Sequence, residues 1–492
     1  MMSQEREFIN VREQFQQIEE FIGQAGKAEV RIDKIERELF SRLLHLGLSL
    51  LKVFVAQAGD GDVGESCTRD GETTRRLPEP HARRYLSVFG ELSVERRVYG
   101  TREGQAIEWV PLDARLGLPA GEISYVLEDW LQRLAVKESF HEAAASLESL
   151  LGLKVGVHTA ERLNRELAGH AASFRAGQQA PPPQNANEIL VVTADGKGVP
   201  MRGSDRPEPQ SPPVEQSRSD KGPKRGKKRM SYVGAVYGID PFVRTAEDVV
   251  DEVLRERRAK DRPVPQDKHV WAELTRVWDD GSPEGNTLNG RTYLFAELAV
   301  ECLARDPQQQ RTLVCLMDGE VALWEMQREW LGWSVGVLDL FHVMERLWGV
   351  AHCLHGEKGA AAKDYVTQQL RLLLQGKIGY VIGGFRRAIG VHGLKGNRLK
   401  TVNAAIGYFK RNREHMRYDE YLAAGYPIGS GVAEGACRHL VKDRMEQTGM
   451  HWTVAGAQAM LSTRAIYLNG EWSAFIEHRI QREQDTLYAL AA

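Results

Sequence analysis

The sequence predicts a multidomain α/β protein, with a strand-and-helix core preceded by mainly helical domains and a small β-hairpin unit. Three observations carry this. A chain of 492 residues, 42% of them hydrophobic, can fill the cores of roughly three domains. Apolar residues recur at helical spacing over 4–57 and again over 121–170. Between 188 and 318 the patterns run strand, strand, helix, strand, which is an α/β order.

In the first segment (1–60), Phe8, Val11, Phe15 and Ile18, then Ile32, Ile35 and Leu39, mark two helices broken near Gly23-Gln24-Ala25-Gly26. A helical hairpin for packing or dimerisation is expected. The stretch "RRYLSVFGELSVERRVYG" alternates apolar and polar residues on both sides of Gly90-Glu91, predicting two antiparallel strands in a β unit over 80–118.

Over 119–175, one helical stripe is followed by helix, a turn at Gly152 and a second helix in which Ala160, Leu163 and Leu167 face inward. A helix-turn-helix fits this pattern, and Lys154, His158, Thr159, Arg162 and Arg165 are then its DNA-binding candidates. An ordinary αα-hairpin fits it equally. A Pro- and Gln-rich linker occupies 176–187.

The core opens at 188 with "EILVVTADGKGVPM". A polar loop over 202–229 follows and ends in Lys224, Arg225, Lys227, Lys228 and Arg229, either a phosphate-gripping arm or a solvated loop with a basic end. Core strands continue to 343, a helical segment covers 344–428, and 429–492 completes the core.

Composition narrows the function. Sixty-five Lys and Arg against 67 Asp and Glu give a formal charge of −2, so any nucleic-acid role must rest on local patches. Cys67, Cys302, Cys315, Cys353 and Cys437 are scattered, which argues against a disulfide framework or a ribbon-type zinc site. The charged N-terminus lacks a signal-peptide core and no stretch approaches the apolar length of a membrane span, so a cytoplasmic protein is expected.

Chemistry is suggested by two aspartates. Asp195 follows the apolar run Ile189-Leu190-Val191-Val192, and Asp318 follows the apolar strand in "LVCLMDGE". Taken singly, each Asp-Gly reads as a turn. Taken together, two carboxylates at strand ends can converge and find a divalent metal, with Mg2+ the expected ion. Glu434, in or near the first turn of a helix after "YPIGSG", is the third candidate ligand. Two such ions roughly 4 Å apart would activate a water or a 3′ hydroxyl for in-line phosphoryl displacement. Asp443 and Glu446 are rival carboxylates, but lie two to three helical turns beyond Glu434.

Asp195, Asp318 and Glu434, with "LDLFH" after the second aspartate and a helical stretch before the glutamate, resemble the DDE transposases of bacterial insertion sequences, particularly the ISKra group. The resemblance runs from "VERRVYG" through "KDRMEQTGMHW". It implies a ribonuclease-H-like core interrupted by an all-helical insertion, with Asp195 on the first strand, Asp318 on the fourth and Glu434 on a later helix. It also implies two Mg2+ ions, with Mn2+ able to substitute; relatives commonly carry zinc-binding cysteine pairs before "PLD", and because this sequence departs from them with Cys67 alone in that region, no zinc is expected. The expected partners are double-stranded DNA, at element ends and target, and a second copy of the chain or more.

Asp339 and His342 of "LDLFH" match the D-x-x-H of related transposases and would orient DNA at the cleavage site; a helix-capping His342 is the plainer alternative. Lys410 and Arg411, beside Tyr408 and Phe409, would face DNA from the insertion, although a solvated face over a buried aromatic stripe fits as well. Arg438, Lys442, Arg444 and Trp452 match basic and aromatic positions beyond the glutamate, where phosphate and flipped-base contacts are expected. The expected activity is cleavage of element ends and joining of the 3′ ends to target DNA. The alternatives are a non-catalytic DNA-binding descendant or a metal-dependent nuclease on the same core.

Overall fold

The computed structural model of the chain describes residues 2–69, 72–100, 107–205, 228–255, 261–276, 289–357, 359–429, 431–447 and 449–488. The chain divides into two units, Met1–Phe174 with Trp472–Ala492, and Arg175–Glu471.

The first unit opens with helices α1 (Met2–Ala25) and α2 (Ile32–Gln57), which pack on each other. Strands β1 (Ser66–Arg69), β2 (Glu72–Arg76) and β5 (Tyr99–Gly100) form one small sheet, and β3 (His81–Ser87) pairs with β4 (Gly90–Arg96) in the predicted hairpin. Helix α3 (Pro111–Leu116) leads into the three-helix group α4 (Tyr125–Ala135), α5 (Phe140–Leu151) and α6 (Val157–Ala168), followed by α7 (Ala171–Ala176).

Ser139 and Glu142 close a capping box at the start of α5, which satisfies its first backbone donors, and Gly152 ends it in the left-handed region. Helix α6 buries Ala160, Leu163 and Leu167, the stripe its sequence spacing predicts. The C-terminal helix Trp472–Tyr488 belongs to this unit, a correction to its placement with the core: Arg479 forms a buried ion pair with Glu128 of α4 at 2.8 Å.

Helix α2 is also long and apolar enough, by length and composition, to span a membrane, and no other helix among the described residues is. That differs from the expectation that no segment approaches a span; α2 itself packs against α1 and β4.

The second unit is mixed α/β, built on a five-stranded mixed sheet. Its strands are β6 (Ile189–Pro200), β7 (Lys228–Ile239), β8 (Gln266–Leu274), β9 (Leu313–Met317) and β10 (Val335–Leu338), ordered β10-β9-β6-β7-β8. Strand β6 is antiparallel to β7 over twelve residues and parallel to β9, and β9 is parallel to β10. Central β6 and β9 are continuous apolar runs, Ile189–Val192 and Leu313–Met317, and all of those side chains are buried, as strands covered on both faces require.

Helix α8 (Ala246–Arg255) lies between β7 and β8, α9 (Gly290–Arg305) packs on β7 and β8, and α10 (Val321–Trp330) joins β9 to β10. From Leu340 to Ala423 the regular elements among the described residues are all helical: α11 (Leu340–His355), α12 (Ala360–Leu374), α13 (Ile378–Val391), α14 (Gly396–Arg411) and α15 (Tyr418–Ala423), with one 3-10 turn before α15. Their buried stripes, such as Val366, Leu370 and Leu373 on α12, merge with the sheet's core. Helix α16 (Gly431–Ala436) runs through a π-helical turn, Cys437–Lys442, into the short α17 (Asp443–Met445), and α18 (Val454–Leu468) covers β8.

Candidate active site

The sheet register creates the site. Ala194 of β6 pairs with Met317 of β9, and Met317 pairs with Leu338 of β10. The next residue after each is an aspartate, so Asp195, Asp318 and Asp339 form a row across three adjacent parallel strands, at the carboxyl edge where α/β sheets bind ligands. Asp195 is not a turn residue: β6 continues to Pro200, so the carboxylate stands within the strand, where its neighbours change from buried to half-buried.

Asp318 sits just past β9. Its Oδ1 accepts the Glu320 N–H at 2.9 Å, while burial and the negative charge of Asp195 push its pKa up against the opposing pull of that hydrogen bond and of His342. The turn needs Gly319: φ is +90°, and a Cβ there would lie 2.7 Å from Leu338 and 2.9 Å from the Tyr408 hydroxyl. That hydroxyl donates to the Asp318 carbonyl, so α14 tethers the turn that bears the carboxylate.

Three neighbours were not assigned to the carboxylates from the sequence. Glu320 has its pKa raised by burial and by the charges of Asp318 and Asp195, with Arg291 opposing. Cys437 is buried in the π-helical turn, and burial with the negative charge of Asp195 pushes its thiol pKa up. Tyr408 is the third. Glu320 was visible in "MDGE", as a carboxylate two residues from a candidate ligand; Cys437 and Tyr408 lie more than 200 residues from Asp195 and 90 from Asp318, beyond any local pattern.

Asp339 is buried and caps α11, accepting the Phe341 N–H at 2.8 Å. The capping assignment therefore belongs to Asp339, not to His342. His342 is part-exposed, lies 3.7 Å from Glu345 and acts electrostatically on Asp318. Glu434 stands on α16, which packs against β6 and β7; its side chain lies outside the described residues. The rival carboxylates are engaged elsewhere, Asp443 with His439 at 3.0 Å and Glu446 with Lys228 at 2.5 Å.

The candidate DNA contacts divide. On α6 and the turn before it, Lys154, His158, Arg162 and Arg165 are exposed and Thr159 is half-buried; Arg162 pairs with Glu166 at 2.7 Å and Lys154 with Glu148 at 3.4 Å. Lys410, Arg411, Arg438, Lys442 and Lys228 are also exposed. Tyr408 and Phe409 form the buried stripe beneath Lys410 and Arg411.

Three candidates are withdrawn because they are buried. Arg229 donates to the carbonyls of Thr275, Arg276 and Asp205. Arg444 is fully buried with its guanidinium 5.0 Å over the Trp452 ring, and the Trp452 indole N–H donates to the Met445 carbonyl at 3.1 Å. Lys224, Arg225 and Lys227 lie outside the described residues.

Among the described residues no three His, Cys, Asp or Glu side chains gather closely enough to hold a metal ion. Asp195 and Asp318 nevertheless supply a pair of hard oxygen donors whose mutual repulsion a divalent cation would relieve. No family model matches the chain, and no curated protein matches it.

Proposed function

We propose that the chain is a DDE-type DNA transposase that binds the ends of its element, cleaves them and joins 3′ hydroxyl ends to target DNA. The observation that carries this is the row of Asp195, Asp318 and Asp339 along the carboxyl edge of β6, β9 and β10. The sheet order supports it. Among the five strands in chain order, Asp195 stands on the first and Asp318 follows the fourth, the layout of a ribonuclease-H-like core, with the helices from Leu340 to Ala423 as the insertion before Glu434.

Asp195 and Asp318, with Glu434 from α16, are the residues that would hold Mg2+. When bound, the metal supplies Lewis acidity at the phosphoryl oxygens and lowers the pKa of the attacking oxygen. The protein's own part is orientation: β6 and β9 fix the two carboxylates side by side, the Tyr408 tether and Gly319 hold the Asp318 turn, and His342 offers a hydrogen-bond donor to a phosphate oxygen. The phosphorus forms a bond to the incoming oxygen as it loses the leaving oxygen on the opposite side.

Exposed Lys154, His158, Arg162 and Arg165 form the end-binding face, and Lys410, Arg411, Arg438 and Lys442 the strand-positioning cations. Chemistry at two ends requires at least a dimer, and the exposed apolar rows of α1 and α2 are the surface for it.

The test is Mg2+-dependent cleavage and joining on a plasmid carrying the gene's native flanking DNA. The intact protein should cut and join, and Asp318→Ala should bind the ends but not cut. Equal cutting by Asp318→Ala would overturn the site, and cutting without joining would make the protein a nuclease.

A further inference from the structure

The first unit holds a cavity of about 500 Å3 between α4, α6, the C-terminal helix Trp472–Tyr488 and residues 119–123. Its volume is within the range of small-ligand sites, and Ile123, Leu163 and Leu487 give it apolar walls. Glu128 of α4 lines it and is only 3% exposed. Its Oε2 accepts from Arg479 at 2.8 Å, but its buried Oε1 has no hydrogen-bond partner. A buried carboxylate oxygen left bare costs its lost hydration, so the site asks for a donor. Arg479 also has a buried Nε without a hydrogen-bond partner, but its guanidinium lies 4.8 Å over the Tyr125 ring, which offers a cation a π face.

Charge decides what kind of donor fits. Four carboxylates line the cavity, Glu122, Glu128, Glu166 and Glu483, against two guanidiniums, Arg162 and Arg479. Burial, with Arg479, His478 and Arg482, lowers the pKa of His170 against the pull of Glu483, so this ring is neutral at pH 8. Glu122 is paired from outside the lining by Arg84 at 3.1 Å, Glu166 holds Arg162 at 2.7 Å, and Arg479 reaches Glu483 at 3.0 Å as well as Glu128. Three guanidiniums thus face four acids, and the acid with a bare oxygen is Glu128. An anion would meet that excess charge, and a neutral apolar molecule would leave Oε1 bare. Among the described residues no three acids gather closely enough to hold a metal ion. An organic ammonium supplies both the donor and the charge, the apolar walls suit an aliphatic chain, and half-exposed Glu166 suits a second ammonium.

We propose that this cavity binds a linear aliphatic diamine, with one ammonium donating to Glu128 Oε1, the chain against Ile123 and Leu163, and the other ammonium at Glu166. The site is independent of the phosphoryl-transfer reading. The outer ammonium competes with Arg162 for Glu166, so occupancy of the cavity frees a cation on the exposed face of α6.

The test is isothermal titration calorimetry of 1,4-diaminobutane into the full-length protein, stripped of nucleic acid, at pH 8. One site per chain is expected. Butane-1,4-diol should not bind, and 1-aminobutane should bind about threefold more weakly, as loss of one exposed ion pair requires. Glu128→Gln should weaken the diamine about tenfold or more, since it removes a buried charge-assisted hydrogen bond. Leu487→Trp, which fills the cavity and keeps every charge, should abolish binding, and Arg162→Gln, which removes the competitor, should tighten it. Thermal melts by circular dichroism check that the variants fold; if Glu128→Gln does not, Glu166→Gln at its half-exposed position takes its place, with about threefold weaker binding expected.

No binding of the diamine, equal binding of the diol, or a folded Leu487→Trp that still binds overturns the site. Unchanged affinity in folded Glu128→Gln, or in Glu166→Gln where that variant replaces it, does the same. Equal binding of 1-aminobutane, or no tightening by Arg162→Gln, overturns the second ammonium at Glu166.

Discussion

Asp318 faces two influences that disfavour its charge, burial and the neighbouring Asp195, with a backbone hydrogen bond and His342 opposing them. A carboxylate in that position lowers fold stability, the trade expected of the metal ligand proposed above. Asp318→Asn should therefore abolish cleavage yet raise the melting temperature in metal-free buffer by roughly 2–4 °C, the shift expected for about 1 kcal/mol. A lowered melting temperature would show that the carboxylate is structural. The placement of Asp195 and Asp318 where two apolar strand runs finish was legible in the sequence, because an apolar run that ends in a carboxylate is a local pattern. Arg444 and Trp452 were misread because a buried guanidinium over an indole and an exposed nucleic-acid contact use the same residues; only their burial separates them.

At the scale of elements, α1 places Phe8, Phe15 and Ile22 at seven-residue intervals, all exposed, and α2 exposes Phe40, Leu43, Leu50 and Phe54. Apolar residues at heptad spacing are the seam of a helical coil that wants a partner. Phe15→Asp combined with Leu43→Asp should convert an oligomer to a monomer, read as the molar mass by light scattering after size exclusion. A monomeric wild type, or an unchanged mass in the variant, would remove α1 and α2 from the interface. The hairpin itself was readable, since periodicity and the glycines near 23–26 specify it. Strand continuity was not: β6 runs five residues past Asp195 because β7 pairs with it to Pro200, a tertiary contact that overrides the Asp-Gly turn signal.

Across the whole molecule, two groups, one in each unit, respond to pH in the same direction. In the first unit, burial above all pushes the Glu128 pKa up to about 7, with Arg479 opposing. In the second, burial would lower the His269 pKa, but hydrogen bonds and ion pairing with Glu301 and Glu471 outweigh it, raising it above 6.5. Both pKa values are higher folded than unfolded. Each contribution is therefore complete below the group's unfolded pKa and is lost as pH rises through its folded pKa. The melting temperature should fall between pH 5 and pH 8, and Glu128→Gln and His269→Gln should each flatten part of that fall when followed by calorimetry. A melting temperature that climbs over this range would contradict both assignments.

The order of strands, helices and carboxylates was readable along the chain, whereas the membership of Trp472–Tyr488 in the first unit was not, because it depends on the Arg479 to Glu128 pairing across some 350 residues. The hydroxyl that joins Tyr408 to the Asp318 carbonyl gives the helical segment a different standing from an appendage. On the proposed reading, a strand of DNA drawn against Lys410 or Arg411 would pull on the same helix that grips the carboxylate turn, which would make α14 a lever with its short arm at Asp318.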